Sequence, residues 1–228
     1  MSHPSPFSLK MLKAIRSAAI HGGEDLEADT LVLDPFCGSG RVAQVSPHWR
    51  YYGAEIEDDW AAEARSAGVN CLTISATALP WKDELFDLVI TSPCLGNRLA
   101  DSYAPAATEK HKMRRTYRIA LGHPLLPENT GGLPWGPEYR IMHRKIWAEV
   151  RRVLKPKKLL IFTAKDHIRK GKLIPVSAWH LETIEGLGFT QLARIVIPVL
   201  GDQNTNTMRS RGVQVVEHEN VFVLRLTN

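Results

Sequence analysis

A glycine-rich turn after a short apolar run is the feature of this sequence that most limits its fold. Val32 and Leu33 lead directly into Asp34-Pro35-Phe36-Cys37-Gly38-Ser39-Gly40, and a segment compatible with a helix begins at Arg41. Glycine is needed where the backbone adopts a positive φ, or approaches a ligand so closely that a Cβ would collide with it. The pattern predicts a buried strand, a tight turn facing a ligand, and a helix whose first amide groups point toward that ligand.

Two further strands end in polar residues at spacings that suit the same kind of site. Residues 51–56 are predicted to form a strand that ends at Glu55, where a carboxylate can accept hydrogen bonds from a ribose diol. Glu57 is the alternative acid, because alternation along a strand places it on the same face. Residues 85–91 have the nearly continuous apolar pattern of a central parallel strand, and the loop at residues 92–95, Ser-Pro-Cys-Leu, follows them.

Together, the three landmarks resemble the S-adenosylmethionine-dependent DNA methyltransferases of the amino-group type. The similarity runs from about Phe7 to the end of the chain. It implies an α/β, Rossmann-like class I methyltransferase fold, with a seven-stranded, mostly parallel sheet, an antiparallel last strand and helices on both faces. It also implies S-adenosylmethionine as the cofactor, with contacts from Phe7, Asp34, Pro35, Phe36, Gly38, Gly40, Glu55, Ser75 and Ala76.

The loop at residues 92–95 departs from the pattern of that family, [D/N/S]-P-P-[Y/F]. By the resemblance, Ser92 and the Pro93 carbonyl would accept hydrogens of the target amine, but Cys94 replaces the second proline and Leu95 the aromatic residue that stacks on the flipped base. Tyr103 or Trp135 would then have to supply the stacking.

A second chemical route stays open, because Pro93-Cys94 also resembles the C5-cytosine methyltransferases. In those enzymes a thiolate adds to C6 of cytosine and an acid after the fifth strand holds N3, and Asp166 stands at the corresponding place. Cys94 as a small buried hydrophobe is the third interpretation. Both catalytic routes include cytosine, which makes cytosine the preferred base and N6 of adenine the second.

The connection at about residues 97–140 is much longer than is usual in compact domains, and such loops often carry function. Basic and aromatic side chains are interleaved in it, as expected of a surface that holds phosphates and stacks bases. A solvated basic loop is the alternative. A second basic connection lies near residues 204–211. The candidate nucleic-acid contacts are Arg98, Tyr103, Arg114, Arg115, Tyr117, Arg118, Arg209 and Arg211.

The bulk properties fit one intracellular domain with an anionic partner. The 228 residues, 44% of them hydrophobic, predict a single methyltransferase domain, and the net charge of +5 agrees with DNA, or alternatively RNA, as the partner. Three widely spaced cysteines indicate neither a disulfide framework nor a zinc site, so no metal is expected. No apolar run is long enough to span a membrane.

From these features we expect a cytoplasmic protein of prokaryotic or viral type. Because the sequence has no room for a separate target-recognition domain, a homodimer stays open. The alternative of another class is a methyltransferase-like module that binds nucleic acid without catalysis.

Overall fold

The computed structural model describes residues 7–22, 26–97, 117–169, 172–198, 210 and 215–228. Six of the predicted nucleic-acid contacts lie outside these residues: Arg98, Tyr103, Arg114, Arg115, Arg209 and Arg211.

The described residues form five α-helices, two 3₁₀ turns and nine strands. In order, the elements are α1 (Leu9–His21), β1 (Leu31–Asp34), a 3₁₀ turn (Arg41–Gln44), β2 (Arg50–Glu55), α2 (Asp58–Ser66), β3 (Asn70–Thr73), β4 (Phe86–Thr91), α3 (Tyr117–Leu121), a second 3₁₀ turn (Thr130–Gly132), α4 (Pro137–Val153), β5 (Leu154–Ala164), β6 (His167–Arg169), β7 (Lys172–Ile174), α5 (Val176–Glu185), β8 (Phe189–Pro198) and β9 (His218–Leu226).

Seven strands form one sheet in the order β3-β2-β1-β4-β5-β9-β8. Strand β1 pairs in parallel with β2 and β4, β2 with β3, and β4 with β5, whereas β9 is antiparallel to both β5 and β8. This topology confirms the predicted class I methyltransferase fold. The strand order reverses between β1 and β4, and in open α/β sheets ligands bind outside the carboxyl ends of the strands at that point.

Each face of the sheet carries its own hydrophobic cluster. On one face, α1 buries Met11, Leu12, Ile15 and Ala19, and the Ser8 hydroxyl accepts a hydrogen bond from the Met11 amide at its start. On the other face, α4 packs through Ile146, Trp147 and Val150. No helix in the described part of the chain is long and apolar enough to cross a membrane.

The structure contains elements that the sequence analysis did not predict. The long connection before α4 contains α3 and the second 3₁₀ turn. Helix α4 begins at Pro137, because proline at the first helical position after Gly136 has no amide hydrogen to leave unpaired. The short hairpin of β6 and β7 was not predicted at all.

Candidate active site

A cleft opens at the carboxyl ends of the central strands and brings the three sequence landmarks together. The empty space in the cleft, including the open solvent at its mouth, is about 950 Å³. The predicted site residues in its wall are Pro35, Phe36, Glu55, Ser75, Ala76, Ser92, Pro93, Cys94 and Tyr117. Predicted cofactor contacts and predicted catalytic residues therefore share one cavity.

Asp34 stabilises the glycine-rich turn through its buried side chain and does not line the cleft. Its buried carboxylate accepts hydrogen bonds from the Phe36 amide at 3.0 Å and from the Thr91 hydroxyl at 2.6 Å, which ties the end of β1 to the end of β4. Burial raises the pKa of Asp34 to about 7. Gly38 and Gly40 follow with φ of +51° and +77°, so the turn needs glycine at both positions.

Glu55 lies at the end of β2, in the wall of the cleft. Its carboxylate accepts hydrogen bonds from the Gly38 amide at 2.8 Å and from the Glu57 amide at 3.0 Å, and burial raises its pKa to about 7. A carboxylate offers about four lone-pair sites, so acceptor capacity is left for the two hydroxyls of a ribose. Ile56, the apolar residue directly after this acid, also lines the cleft and was missed by the sequence analysis.

The buried pair of carboxyl groups predicts that the stability of the protein falls as the pH rises from about 6.5 to 8, above the range in which the buried neutral rings of His143 and His180 act in the opposite direction. The folded pKa values of Asp34 and Glu55 are about 7, above their ordinary values of 3.8 and 4.5, so in this window the folded state holds protons that the unfolded state has released. Their contribution to stability is complete below the ordinary values and is lost as the pH rises through about 7.

Thermal unfolding of the cofactor-free protein at several pH values measures this effect. We expect Glu55→Gln to raise the melting temperature at pH 8 and to flatten the pH profile, while Glu185→Gln, an exposed change at the end of α5, leaves the profile as it is. A wild-type melting temperature that rises between about pH 6.5 and 8, with no effect of Glu55→Gln on its slope, would contradict the assignment.

Glu57, the alternative acid, has a different task. One of its carboxylate oxygens accepts hydrogen bonds from the Leu126 amide at 2.9 Å and the Asn129 side-chain amide at 2.8 Å. Asn129 in turn accepts from the Gly131 amide at 2.9 Å. Glu57 therefore holds the segment of residues 126–131 in place beside the cleft. Of the two acids, only Glu55 lines the cleft.

Besides Phe36, two aromatic side chains lie in the wall of the cleft. The rings of Trp60 and Tyr117 meet edge to face with their centroids 5.4 Å apart, and both side chains are buried. Tyr117 was predicted from its basic, aromatic surroundings, whereas Trp60 was missed. Trp135, a predicted stacking residue, lies outside the cleft wall and packs on Tyr139 and Trp179 instead.

A buried relay of hydrogen bonds holds the predicted catalytic loop, residues 92–95, in place. The Trp147 indole donates to Nδ1 of His180 at 3.0 Å, and burial lowers the pKa of His180 well below its ordinary value, so the ring is neutral and its hydrogen is on Nε2. Nε2 therefore donates to the Tyr139 hydroxyl at 2.8 Å, and that hydroxyl donates to the Cys94 carbonyl. Each donor in the relay has one defined acceptor.

His143 joins this relay to the glycine-rich turn. Its ring stacks on Tyr139 with a centroid distance of 3.9 Å and on Phe36 with a distance of 5.5 Å, and its Nδ1 donates to the Tyr139 carbonyl at 3.0 Å. Burial lowers the pKa of His143 to about 4, so the ring is neutral. The relay and this stack were missed by the sequence analysis, which had only the inward face of a helix to indicate them.

The Cys94 thiol is protonated near neutral pH. Burial and the neighbouring Glu55 carboxylate raise its pKa to about 11, against weaker opposite effects of the Thr130 and Tyr117 side chains. Reactive cysteines depend on the thiolate and sit in electropositive surroundings. The surroundings of Cys94 are of the opposite kind.

Three other predicted site residues lie away from the cleft wall. Asp166 accepts a hydrogen bond from the Ser177 amide in the first turn of α5 at 2.7 Å, which accounts for an acid at this position; its catalytic role stays a prediction. Phe7 is buried in the cluster under α1, and its carbonyl accepts a hydrogen bond from Arg41 at 3.2 Å. Arg118 is exposed on α3.

The comparisons with known proteins agree on the fold and diverge on the reaction. No family model matches the sequence. A curated relative, the U6 snRNA (guanine-N(2))-methyltransferase THUMPD2 of Bos taurus, is 31% identical over 86 residues, which are 32% of this chain and 17% of the relative. The match thus spans about a sixth of the length of that relative.

Solved structures with the same fold cover nearly all of the chain. A candidate sarcosine dimethylglycine methyltransferase from Galdieria sulphuraria has a TM-score of 0.58 at 10% identity, over 94% of this chain and 85% of its own. The [4+2]-cyclase SpnF has a TM-score of 0.58 at 13% identity, over 100% of this chain and 88% of its own. The fold is that of the S-adenosylmethionine-dependent methyltransferases of class I, and it implies S-adenosylmethionine as the cofactor.

The residues in the cleft fit this cofactor. Glu55 offers a buried acceptor for the ribose, Ile56 an apolar wall beside it, and Ser75 and Ala76 line the cleft after β3. Gly38 and Gly40 do not line the cleft themselves; their positive φ forms the turn that places Pro35 and Phe36 in its wall. The individual contacts remain predictions.

Proposed function

We propose that this chain is a methyltransferase that transfers a methyl group from S-adenosylmethionine to the exocyclic amino group of a flipped-out nucleobase, with N4 of cytosine in DNA as the first candidate. The observation behind the proposal is that Ser92 and Pro93, which can accept the hydrogens of an amine, share one cleft with Glu55. The bound cofactor supplies an electrophilic methyl group on a sulfonium. An exocyclic amine is a weak nucleophile, because its lone pair is delocalised into the ring.

Residues of this chain would make that amine a better nucleophile. The Ser92 hydroxyl and the Pro93 carbonyl accept hydrogen bonds from the two N–H groups of the amine. These bonds turn the nitrogen lone pair out of the plane of the ring and direct it into the cleft. Trp60 and Tyr117 offer aromatic surface to the base and exclude water from one side. Because Tyr139 donates to the carbonyl of Cys94, the loop is held while the base enters and leaves.

The chemistry of Cys94 favours the amino-group route over the C5 route. A nucleophilic cysteine must be available as thiolate, whereas the pKa of Cys94 is raised to about 11. The C5 route also needs an acid for N3 of cytosine, and the predicted one, Asp166, accepts a hydrogen bond in the first turn of α5. Both observations support Cys94 as a residue of the pocket wall.

RNA is the second candidate substrate, for one specific reason. The relative with sequence similarity is named as a guanine-N(2)-methyltransferase of U6 snRNA, and N2 of guanine is also an exocyclic amine. That match supports the amino-group chemistry and adds RNA to the substrates that have to be tested.

Mass spectrometry of nucleosides tests the proposal with methyl-deuterated cofactor and with DNA or RNA as acceptor. We expect label on an exocyclic nitrogen, a rate lowered roughly 10-fold to 100-fold in Ser92→Ala because an acceptor for the amine is lost, and a rate within about threefold of wild type in Cys94→Ala. Labelled 5-methylcytosine, abolished in Cys94→Ala, would overturn the amino-group proposal. Cofactor binding by calorimetry without label in any nucleoside would favour a binding module.

A further inference from the structure

A cluster of two arginines and two tryptophans lies on the outer side of α4 and α5. The guanidinium carbon of Arg140 is 4.8 Å from the ring centroid of Trp135 and 6.0 Å from that of Trp179, and that of Arg144 is 5.9 Å from Trp179. The two tryptophan rings meet edge to face at 5.6 Å. We call these four residues the α4–α5 patch.

The charges of this patch are not neutralised within the described part of the chain. None of the ion pairs there involves Arg140 or Arg144, and Nε of Arg140 is buried without a hydrogen-bond partner. Arginine carries five N–H donors in a planar fork that matches phosphate, and stacking on tryptophan holds the fork in place. The patch thus has an unused capacity for an anion.

The patch adjoins the predicted catalytic loop. A Cβ added to Gly96, the residue just after the loop, would lie 3.5 Å from the Trp135 amide nitrogen. Tyr139, which precedes Arg140 on α4, donates to the Cys94 carbonyl inside the loop. A nucleic-acid strand whose base entered the cleft could reach the patch within a few nucleotides.

We propose that the α4–α5 patch binds the phosphodiester backbone of the substrate strand beside the target base. The proposal rests on the proposed function. It extends the segment predicted at about residues 97–140, which includes Trp135 and Arg140, to Arg144 of α4 and Trp179 of α5. Nucleic acid fits better than an acidic peptide, because aromatic rings interleaved with arginines provide stacking for bases as well as charge for phosphates.

Fluorescence anisotropy with a labelled single-stranded oligonucleotide, titrated at several salt concentrations, tests the proposal. For the double variant Arg140→Gln, Arg144→Gln we expect Kd to rise about tenfold or more and the slope of log K against log salt to shrink by about 1.4, which corresponds to two phosphate contacts on a single strand. Arg140→Lys with Arg144→Lys keeps the charges and should keep the slope. Arg16→Gln with Arg50→Gln, at exposed sites on α1 and at the amino end of β2, is the matched control.

Parallel assays of methyl transfer on the same oligonucleotides separate this proposal from the proposed function. Methyl transfer by the wild type, with the same Kd and salt slope in the glutamine double variant as in the control, would overturn the patch and leave the function standing. Binding that depends on the patch, without methyl transfer to any DNA or RNA strand, would support the patch and overturn the function. Equal losses in the control and the patch variant would also overturn the patch, because they indicate a general charge effect.

Discussion

Replacing Gly40 with alanine is expected to lower the free energy of unfolding by about 2–5 kcal/mol, the sum of left-handed strain and overpacking. Gly40 has a φ of +77°, and a Cβ there would lie 2.8 Å from Cα of Ala64 and 3.1 Å from its Cβ. Because the Cα of Ala64 is a backbone atom of α2 and cannot rotate away, either the glycine-rich turn or the helix must move to relieve the clash. Chemical denaturation measures the loss, and cofactor titration of the folded fraction should show weakened binding.

Gly68→Ala is the matched control, because Gly68 has the same left-handed backbone conformation as Gly40 but no atoms close to the position of the added Cβ. Its φ is +88°, and nothing lies within 4 Å of the added Cβ. We expect a loss of about 1–2 kcal/mol from strain alone, with cofactor affinity unchanged. Equal losses in the two variants would show that the close approach of the turn to α2 contributes nothing, and would refute the prediction for Gly40.

The sheet and half of the cleft could be predicted from the sequence because they depend on local patterns. Strand β4 is apolar in almost every residue because both of its faces are covered, and the polar loop at residues 92–95 follows at the edge where ligands bind. The acid Asp34 and the two glycines after it determine the turn through contacts within a few residues, such as the hydrogen bond from the Phe36 amide. Such features need no knowledge of distant residues.

Other features of the site and its surroundings could not be predicted, since they depend on contacts between distant parts of the chain or on very short elements. Glu57 accepts hydrogen bonds from Leu126 and Asn129, which lie some seventy residues later in the chain. The alternation of polar and apolar residues around Glu57 therefore could not indicate that it holds this segment in place. For Asp166, a polar residue after β5 suits either a ligand or the start of the next helix, and its hydrogen bond with Ser177, eleven residues later, could not be read from the sequence. The strands β6 and β7 have three residues each, too few to show alternation.

Removal of the Tyr139 hydroxyl is expected to have the second large effect. In Tyr139→Phe the Cys94 carbonyl and Nε2 of His180 both lose their partner, and each unsatisfied buried group costs about 1–3 kcal/mol, which gives a total of about 2–6 kcal/mol. Tyr52→Phe is the matched control, because the Tyr52 ring packs on Trp81 and Phe86 and its hydroxyl makes no hydrogen bond within the described residues. We expect that variant to lie within about 0.5 kcal/mol of wild type.

The functional consequence separates loop positioning from general destabilisation. At a temperature where Tyr139→Phe is folded, we expect kcat for methyl transfer to fall about tenfold because the loop that presents Ser92 is no longer held, while cofactor Kd stays near wild type because Glu55 and Ser75 do not touch Tyr139. Nitrogen chemical shifts should show His180 of the wild type with its hydrogen on Nε2. A hydrogen on Nδ1, or a kcat equal to that of Tyr52→Phe, would contradict the relay, since Trp147 can only donate to Nδ1.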